Sequence, residues 1–209
     1  MIVLDIETSG LSIGRCGIWQ IGALEYENPK NQFLEEARID DEDEVTEEAM
    51  KVTGKTEEEL RDKKKQSQKQ MIENFFKWTK SVGMITLICE NPQFDFNFIE
   101  FKARKYGLKS PLHYKAFDLH SIASYVYFKT NEEFLIEKNH SGIGLSKTLE
   151  FCGMKDDRIK IKDGKIEKEG KPHNALEDAK LEAECFSRLL YGKNMFPEYS
   201  KFKIPEYLR

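Results

Sequence analysis

Six consecutive residues without a charged side chain, Met84–Cys89 (MITLIC), constrain the fold more than any other part of the sequence. A strand with one solvated face alternates apolar and polar residues, whereas a continuous apolar run is typical of a strand that is buried on both faces. Such strands occur in sheets that helices cover on both sides. The run is much shorter than the roughly 20 residues of a membrane-spanning helix. No apolar run in the sequence approaches that length, so we expect no membrane partner. The buried strand itself indicates an α/β fold.

Three further strands are predicted before this run, at Met1–Ile6, Ile18–Tyr26 and Asn31–Ile39, with a turn at Asn28-Pro29 between the last two. Consecutive strands with short connections favour a meander of antiparallel neighbours. Helices and short strands alternate after Cys89, which predicts a single α/β domain with a mixed sheet flanked by helices. The predicted helices are Thr46–Val52, a short one with a capping box at Thr56 and Glu59, 67–82, Phe94–Tyr106, Ile122–Phe128, Leu145–Phe151 and Asn174–Leu190, and a short strand is predicted near Lys115–Phe117.

The predicted domain spans residues 1–191, which is long enough to bury a core. Residues 158–168 are predicted to form a basic β-hairpin insertion, because Asp163-Gly164 is flanked by alternating isoleucines and charged residues. Residues 192–209 contain two prolines and show no periodicity. We therefore expect them to form a tail that packs on the surface.

The net charge of −4 is unevenly distributed, because residues 35–48 contain nine acids and one arginine. The rest of the chain is net basic, so a polyanionic partner is not excluded. We interpret the acidic run as a solvated loop. The four cysteines are scattered without a CxxC pair, and the opening MIVLDIETSG has carboxylates where a secretory signal needs an apolar stretch. Both features favour a cytoplasmic protein with reduced thiols.

Carboxylates occur at the ends of two predicted buried strands. Asp5 and Glu7 close the first strand, and the two-residue period of a strand places both on one face. Asp95 follows the apolar run and Pro92, in the first turn of the next helix. Each has a simpler interpretation as well, namely a solvated strand end for the acidic pair and helix capping for Asp95.

A histidine and a further acid open the last predicted helix. Asn174 is a good N-cap with Glu177 three residues later, so His173 precedes the cap and Asp178 is the fourth helical residue. Side chains at these two positions contact each other in many helices. A surface histidine at a helix start is the alternative interpretation of His173.

Together these segments supply four carboxylates and one histidine. Hard oxygen ligands without a companion cysteine suit Mg²⁺ or Mn²⁺. Four carboxylates can hold two such ions roughly 3.5–4 Å apart, an arrangement that assists in-line phosphoryl displacement. A neighbouring histidine is suited to accept the proton of the attacking water near neutral pH.

The segments DIETSGL, NPQFD and HNALED, in this order and spacing, resemble the three motifs of the DEDDh branch of the DnaQ-like 3′–5′ exonucleases. The resemblance runs from Met1 to about Leu190. It implies a ribonuclease H-like fold, two Mg²⁺ or Mn²⁺ ions, and release of nucleoside 5′-monophosphates from single-stranded DNA or RNA 3′ ends. It assigns metal binding to Asp5, Glu7, Asp95 and Asp178, the general base to His173, and substrate contacts to Thr8, Leu11 and Asn91.

The sequence departs from the family pattern at two positions. Glu90 stands where family members often have a histidine, and Pro92 stands where a small residue is common. It leaves open DNA or RNA preference, a role in proofreading, repair or RNA turnover, and a homodimer or a polymerase or repair partner. Two other functions remain as alternatives, a catalytically inactive nucleic-acid-binding or scaffold protein and a metal phosphoesterase or endonuclease. We also hypothesise that hairpin lysines contact phosphates upstream of the cleaved end, with a solvated hairpin as the alternative. These are Lys160, Lys162, Lys165, Lys168 and Lys171.

Overall fold

The computed structural model describes residues 1–83, 85–162 and 164–209. Met84 of the predicted apolar strand and Asp163 of the predicted hairpin turn lie outside the described residues. None of the helices in the described ranges is both long and apolar enough to span a bilayer. The strands are β1 Ile2–Thr8, β2 Ile18–Glu25, β3 Asn28–Glu36, β4 Leu87–Cys89, β5 Phe117–Asp118, β6 Ile136–Glu137, β7 His140–Ser141, β8 Lys160–Lys162 and β9 Lys165–Lys168. The helices are α1 Glu47–Thr53, α2 Glu57–Leu60, α3 Gln68–Val82, α4 Pro92–Lys105, α5 Leu119–Asn131, α6 Leu145–Phe151 and α7 Ala175–Tyr191.

The central sheet has the strand order β3-β2-β1-β4-β5. β1 to β3 form an antiparallel meander, and β4 and β5 are added parallel to β1 and to each other. Helices α3 and α4 cover one face, and α5, α6 and α7 cover the other. The prediction of a mixed sheet flanked by helices is confirmed.

Burial on both faces explains the apolar run at β4. Leu87 and Cys89 pack in the cluster with α3 and α4, whereas Ile88 packs in the cluster with α5 and α7. A polar side chain at any of these positions would be removed from water without a partner, which costs free energy. The sequence therefore identified the strand through its composition.

The predicted turn at Asn28-Pro29 is wrong. Glu25 pairs with Asn28, so the turn lies at Tyr26 and Glu27, and Asn28 and Pro29 begin β3. Proline usually interrupts a sheet because it lacks a backbone N–H, but β3 is an edge strand, where that donor is dispensable. The small β6–β7 hairpin was not predicted, because strands of two residues leave no periodicity to detect.

The segment after α7 is attached to that helix through a buried ion pair. Arg188 Nε donates to Glu184 Oε1 at 2.8 Å, and both side chains are fully buried. Glu184 Oε2 accepts the backbone N–H groups of Met195 and Phe196. The remaining guanidinium donors bind the backbone carbonyls of Cys152, Tyr199 and Phe202.

Candidate active site

Side-chain alternation along β1 directs Asp5 and Glu7 toward α7. Leu4 and Ile6 pack in the cluster with α3 and α4, whereas Val3 packs in the cluster with α7. Asp5 and Glu7 continue the face of Val3, because side chains two residues apart share a face. Both acids line one cleft of about 720 Å³ with Asp178 of α7.

A glycine in β2 allows α7 to approach this end of the sheet. A Cβ atom on Gly22 would lie 2.1 Å from the backbone nitrogen of Leu176 and 2.2 Å from the carbonyl carbon of Ala175. Gln20 Oε1 also accepts the Ala175 N–H at 2.8 Å, which satisfies a free donor of the first helical turn. The first turn of α7 therefore lies directly against β2, and Asp178 reaches the acids of β1.

Asp95 is attached to β1 by a backbone hydrogen bond. Its Oδ1 accepts the N–H of Ile6, the residue between Asp5 and Glu7, at 3.1 Å. The preceding Asn91 has a left-handed backbone with φ 59°, which asparagine tolerates better than most residues, and Pro92 begins α4. The sharp turn after β4 thus places the first turn of α4 beside β1.

His173 is oriented by backbone contacts on both sides. Its Nε2 lies 2.9 Å from the carbonyl oxygen of Ile159, so that nitrogen carries the proton and donates it. Its backbone N–H donates to Val52 O at 3.1 Å. The other ring nitrogen, Nδ1, lies 3.6 Å from Asp178 Oδ2. One ring nitrogen of His173 and one carboxylate oxygen each of Glu7 and Asp178 lie within 4.8 Å of one another.

The acids of the cleft resist ionisation in the absence of a cation. Burial raises the pKa of Asp5 and Glu7 well above the ordinary range, and the neighbouring carboxylates raise it further. Burial raises the pKa of Asp95 to about 8 and also raises the pKa of Asp178, against the opposing effect of Arg158. A divalent cation would relieve this repulsion, and oxygen donors match Mg²⁺ or Mn²⁺. The residues present therefore fit a divalent metal.

Two further glutamates, the buried Glu182 and the partly buried Glu90, extend this acidic cluster. Glu182 lies one helical turn after Asp178 and is almost fully buried, and its Oε2 has no hydrogen-bond partner among the described residues. Burial raises its pKa well above the ordinary range. Burial and the nearby Asp118 raise the pKa of Glu90 to about 7. The sequence shows Glu90 only as a departure from the family pattern, and Glu182 was not predicted as a site residue. The four-residue spacing between Asp178 and Glu182 nevertheless places these two acids on one helix face.

Arg158 is the one arginine or lysine among the described residues that line this cleft, and it was not predicted as a site residue. Its Nη1 donates to Asp178 Oδ2 at 2.9 Å. Its Nε and Nη2 donate to the two oxygens of Asp156 at 3.0 and 3.2 Å. The Arg158 guanidinium holds the pKa of Asp156 well below its usual range, against the effect of burial. An arginine thus neutralises one of the predicted metal ligands.

Two of the three predicted substrate residues, Thr8 and Leu11, line a neighbouring cavity of about 490 Å³, which is also lined by Ile6, Phe94 and other apolar side chains. Thr8 lines this cavity, and its hydroxyl donates to Gly10 O. Leu11 is 83% exposed and lines both the cavity and the acidic cleft. Asn91 lines the acidic cleft on the other side. The eight predicted site residues therefore surround two adjoining cavities.

The family described as Exonuclease (RNase_T) matches residues 2–186 of the chain. No curated protein matches the sequence. Among solved structures, the nuclease domain of 3′hExo, a DEDDh family member bound to rAMP, is similar with a TM-score of 0.62 and 18% identity, covering 98% of this chain and 95% of that one. Cell-death related nuclease 4 (CRN-4) has a TM-score of 0.65 and 15% identity, covering 92% of this chain and 64% of that one.

Exonuclease I of E. coli in complex with a dA16 oligonucleotide is also similar, with a TM-score of 0.60 and 15% identity. The match covers 92% of this chain and 40% of that one, so this chain spans less than two thirds of exonuclease I and of CRN-4. These likenesses confirm the ribonuclease H-like fold.

Proposed function

Because the chain belongs to the exonuclease family that matches residues 2–186, we propose that it is a 3′–5′ exonuclease releasing nucleoside 5′-monophosphates from single-stranded ends. The observation that carries this proposal is the meeting of Asp5, Glu7, Asp95 and Asp178 with His173 in one cleft. These residues come from three segments that are about 80 residues apart in sequence, and the fold brings them together. We place the exonuclease domain at residues 1–191, with 158–168 as an insertion and 192–209 as a tail.

This exonuclease family depends on divalent metal ions. In this chain Asp5, Glu7, Asp95 and Asp178 would hold two ions, Mg²⁺ or Mn²⁺. When bound, such a pair supplies charge neutralisation at the phosphate and at the departing 3′ oxygen. The raised pKa values of the acids support this assignment, because protonated carboxyl groups lose their protons to solvent when a divalent cation binds them.

His173 acts as the general base in this proposal. The Ile159 carbonyl holds the proton on Nε2, so Nδ1 is the nitrogen with a free lone pair, and it lies on the side of Asp178. A base needs this combination of a fixed ring and an unprotonated nitrogen at the reacting water. The attack then needs no covalent intermediate on the protein.

The smaller cavity suits the terminal nucleotide. Leu11 stands exposed between the two cavities, where an apolar side chain can pack against a base. Thr8 borders the same cavity and Asn91 the acidic cleft.

Of the hairpin lysines, Lys165 and Lys171 are exposed, whereas Lys160 and Lys162 have acidic neighbours in Asp156 and Glu167. A phosphate contact of this hairpin stays a prediction.

The test uses single-stranded DNA and RNA labelled at either end, together with circular single strands, in Mg²⁺ or Mn²⁺. We expect a 3′ label to appear at once as mononucleotide and a 5′ label to pass through progressively shorter products. Asp5→Asn and Asp178→Asn should each lower the rate by roughly 10³-fold or more, because each removes a charge that positions the reacting groups. Asp157→Asn is the matched control, because Asp157 is an exposed acid whose carboxylate pairs with Lys155.

Full activity in both ligand variants would contradict the proposal. Cleavage of the circular strands would instead indicate an endonuclease on the same fold. Binding of the labelled strands without any cleavage would indicate a catalytically inactive binding protein.

A further inference from the structure

We propose that Arg158 is an internal counter-cation that competes with the divalent metal for Asp178 and is displaced from that carboxylate when the metal binds. The inference rests on the proposed function, because it takes Asp178 as a metal ligand. Arg158 lies outside the three segments DIETSGL, NPQFD and HNALED that resemble the exonuclease motifs.

The position of Arg158 is fixed by Asp156. The guanidinium donates to both oxygens of that carboxylate, and the Arg158 backbone N–H donates to Asp156 Oδ1 at 3.0 Å. Asp156 is in turn held by the Ser146 hydroxyl, at 2.5 Å from Oδ2. The Arg158 side chain is only 11% exposed. Two-point contact with a carboxylate restricts a guanidinium strongly, so Arg158 is presented to Asp178 in one orientation.

Arg158 and a metal ion would use the same carboxylate oxygen. Asp178 Oδ2 accepts the guanidinium N–H at 2.9 Å and lies 3.6 Å from His173 Nδ1. Asp178 also belongs to the group of possible metal ligands that it forms with Glu7 and His173. A guanidinium does not lose its proton in proteins, so the conflict with a divalent ion cannot be resolved by deprotonation. Two cations on one oxygen repel each other strongly in a buried site. The arginine must therefore move away.

Displacement would loosen the hairpin segment. Arg158 leads directly into β8, and its bond to Asp178 is a side-chain contact between this segment and α7. Other contacts keep the segment in place, among them Lys51 Nζ to Gly164 O at 3.1 Å and the backbone bond from Ile159 N to Lys171 O. Metal binding is thereby coupled to the freedom of residues 158–168.

The first test measures Mn²⁺ binding to the substrate-free protein by isothermal titration calorimetry. Arg158→Gln keeps hydrogen-bonding groups and removes the charge, and we expect it to bind Mn²⁺ about tenfold more tightly than the wild type, as expected for loss of one competing charge-assisted hydrogen bond. Arg158→Lys should fall between the two. The matched control is Lys160→Gln, which removes one charge from the same segment at a residue that contacts Asp156 but not Asp178. Its Mn²⁺ affinity should change less than about threefold.

Equal or weaker Mn²⁺ binding by Arg158→Gln would overturn the proposal, since it would mean that Arg158 only orients Asp178. Equal tightening by Lys160→Gln would overturn it as well, because the effect would be one of overall charge. A wild-type chain that binds no Mn²⁺ would remove the proposed function together with this inference.

A second test needs no variant. Hydrogen–deuterium exchange of the wild-type protein should show faster exchange in residues 158–168 after Mn²⁺ is added, because the bond to Asp178 is lost, and slower exchange in β1. Slower or unchanged exchange in the hairpin, with slower exchange in β1, would overturn displacement while leaving the metal site and the proposed function intact.

Discussion

Burial and neighbouring charges change the ionisation of the individual acids in this site. Burial is the first cause of the raised pKa at Asp5, Glu7, Asp95 and Asp178, and mutual repulsion adds to it at Asp5 and Glu7. The metal-free protein therefore keeps protons at neutral pH that an unfolded chain would release. Its stability must then depend on pH.

We expect the metal-free protein to become less stable as the pH rises from about 5 to about 8.5. The folded-state pKa values lie above the unfolded ones, near 4, so the folded state binds more protons in this window and loses stability as they leave. The pKa values of about 7 for Glu90 and about 8 for Asp95 set the upper end of this pH window. Urea denaturation in EDTA across this range measures the effect, and saturating Mg²⁺ should reduce the slope.

The Glu90→Gln variant tests how much one acid contributes to the pH dependence of stability. The variant lacks the group whose pKa is raised to about 7, so it should be more stable than the wild type at pH 8 by roughly 1–2 kcal/mol and nearly equal at pH 5. Exposed Glu58→Gln serves as control and should leave the pH profile unchanged. A Glu90→Gln profile parallel to that of the wild type would contradict the role of this group.

At this scale the sequence predicts contacts within an element better than contacts between elements. The neighbourhood of His173 and Asp178 could be predicted because Asn174 marks the helix start, and the two side chains lie 3.6 Å apart. The contact of Arg158 with Asp178 could not, because it depends on how an intervening hairpin folds back. Glu182 lies between these cases, since its helix face was predictable and its burial was not.

Among the secondary-structure elements, α7 and β2 decide whether the site can form. Gly22 is a glycine inside a strand, a pattern that indicates close approach by another backbone without identifying it. The structure identifies the first turn of α7 as the partner. A sequence alone shows that space is needed at such a position, but the occupant follows from the tertiary fold.

Gly22→Ala should lower both stability and Mn²⁺ affinity. Its Cβ would overlap the backbone of Ala175 and Leu176, so α7 must shift away from β2 and carry Asp178 away from Asp5 and Glu7. We expect a loss of about 2–4 kcal/mol in the free energy of unfolding and several-fold weaker Mn²⁺ binding. Chemical denaturation and calorimetry measure the two effects.

Gly14→Ala is the control for this substitution, because a Cβ there would meet only one atom, at 3.9 Å. Its stability should change by less than about 1 kcal/mol. Wild-type Mn²⁺ affinity in Gly22→Ala would show that α7 is not positioned by close contact with β2.

For the whole molecule, the two layers of helices and the C-terminal segment enclose one sheet. The sequence predicted this architecture because strand and helix periods alternate clearly, and it misplaced the turn before β3 because edge position is a property of the complete sheet. The tail shows no periodicity, and its attachment depends on Arg188 and Glu184, which the sequence presents as ordinary charged residues of a helix.

Arg188→Met should destabilise the protein by about 3–5 kcal/mol, because it leaves the buried carboxylate of Glu184 and three backbone carbonyls without their partner. Chemical denaturation measures the loss. Limited proteolysis should cut first within residues 192–209 of the variant. Lys203→Met, at a side chain that is 74% exposed, should stay within about 0.5 kcal/mol of the wild type. Equal stability of the two variants would mean that the buried pair does not hold the tail.

The distribution of the acids along the chain has a consequence for biosynthesis. Translation supplies Asp5 and Glu7 first, Asp95 near the middle and His173 with Asp178 only after the whole sheet has been made. A polypeptide that ends before residue 174 lacks both the last acid and the helix that would carry it. Unfinished copies are therefore unable to bring all four acids together with the histidine.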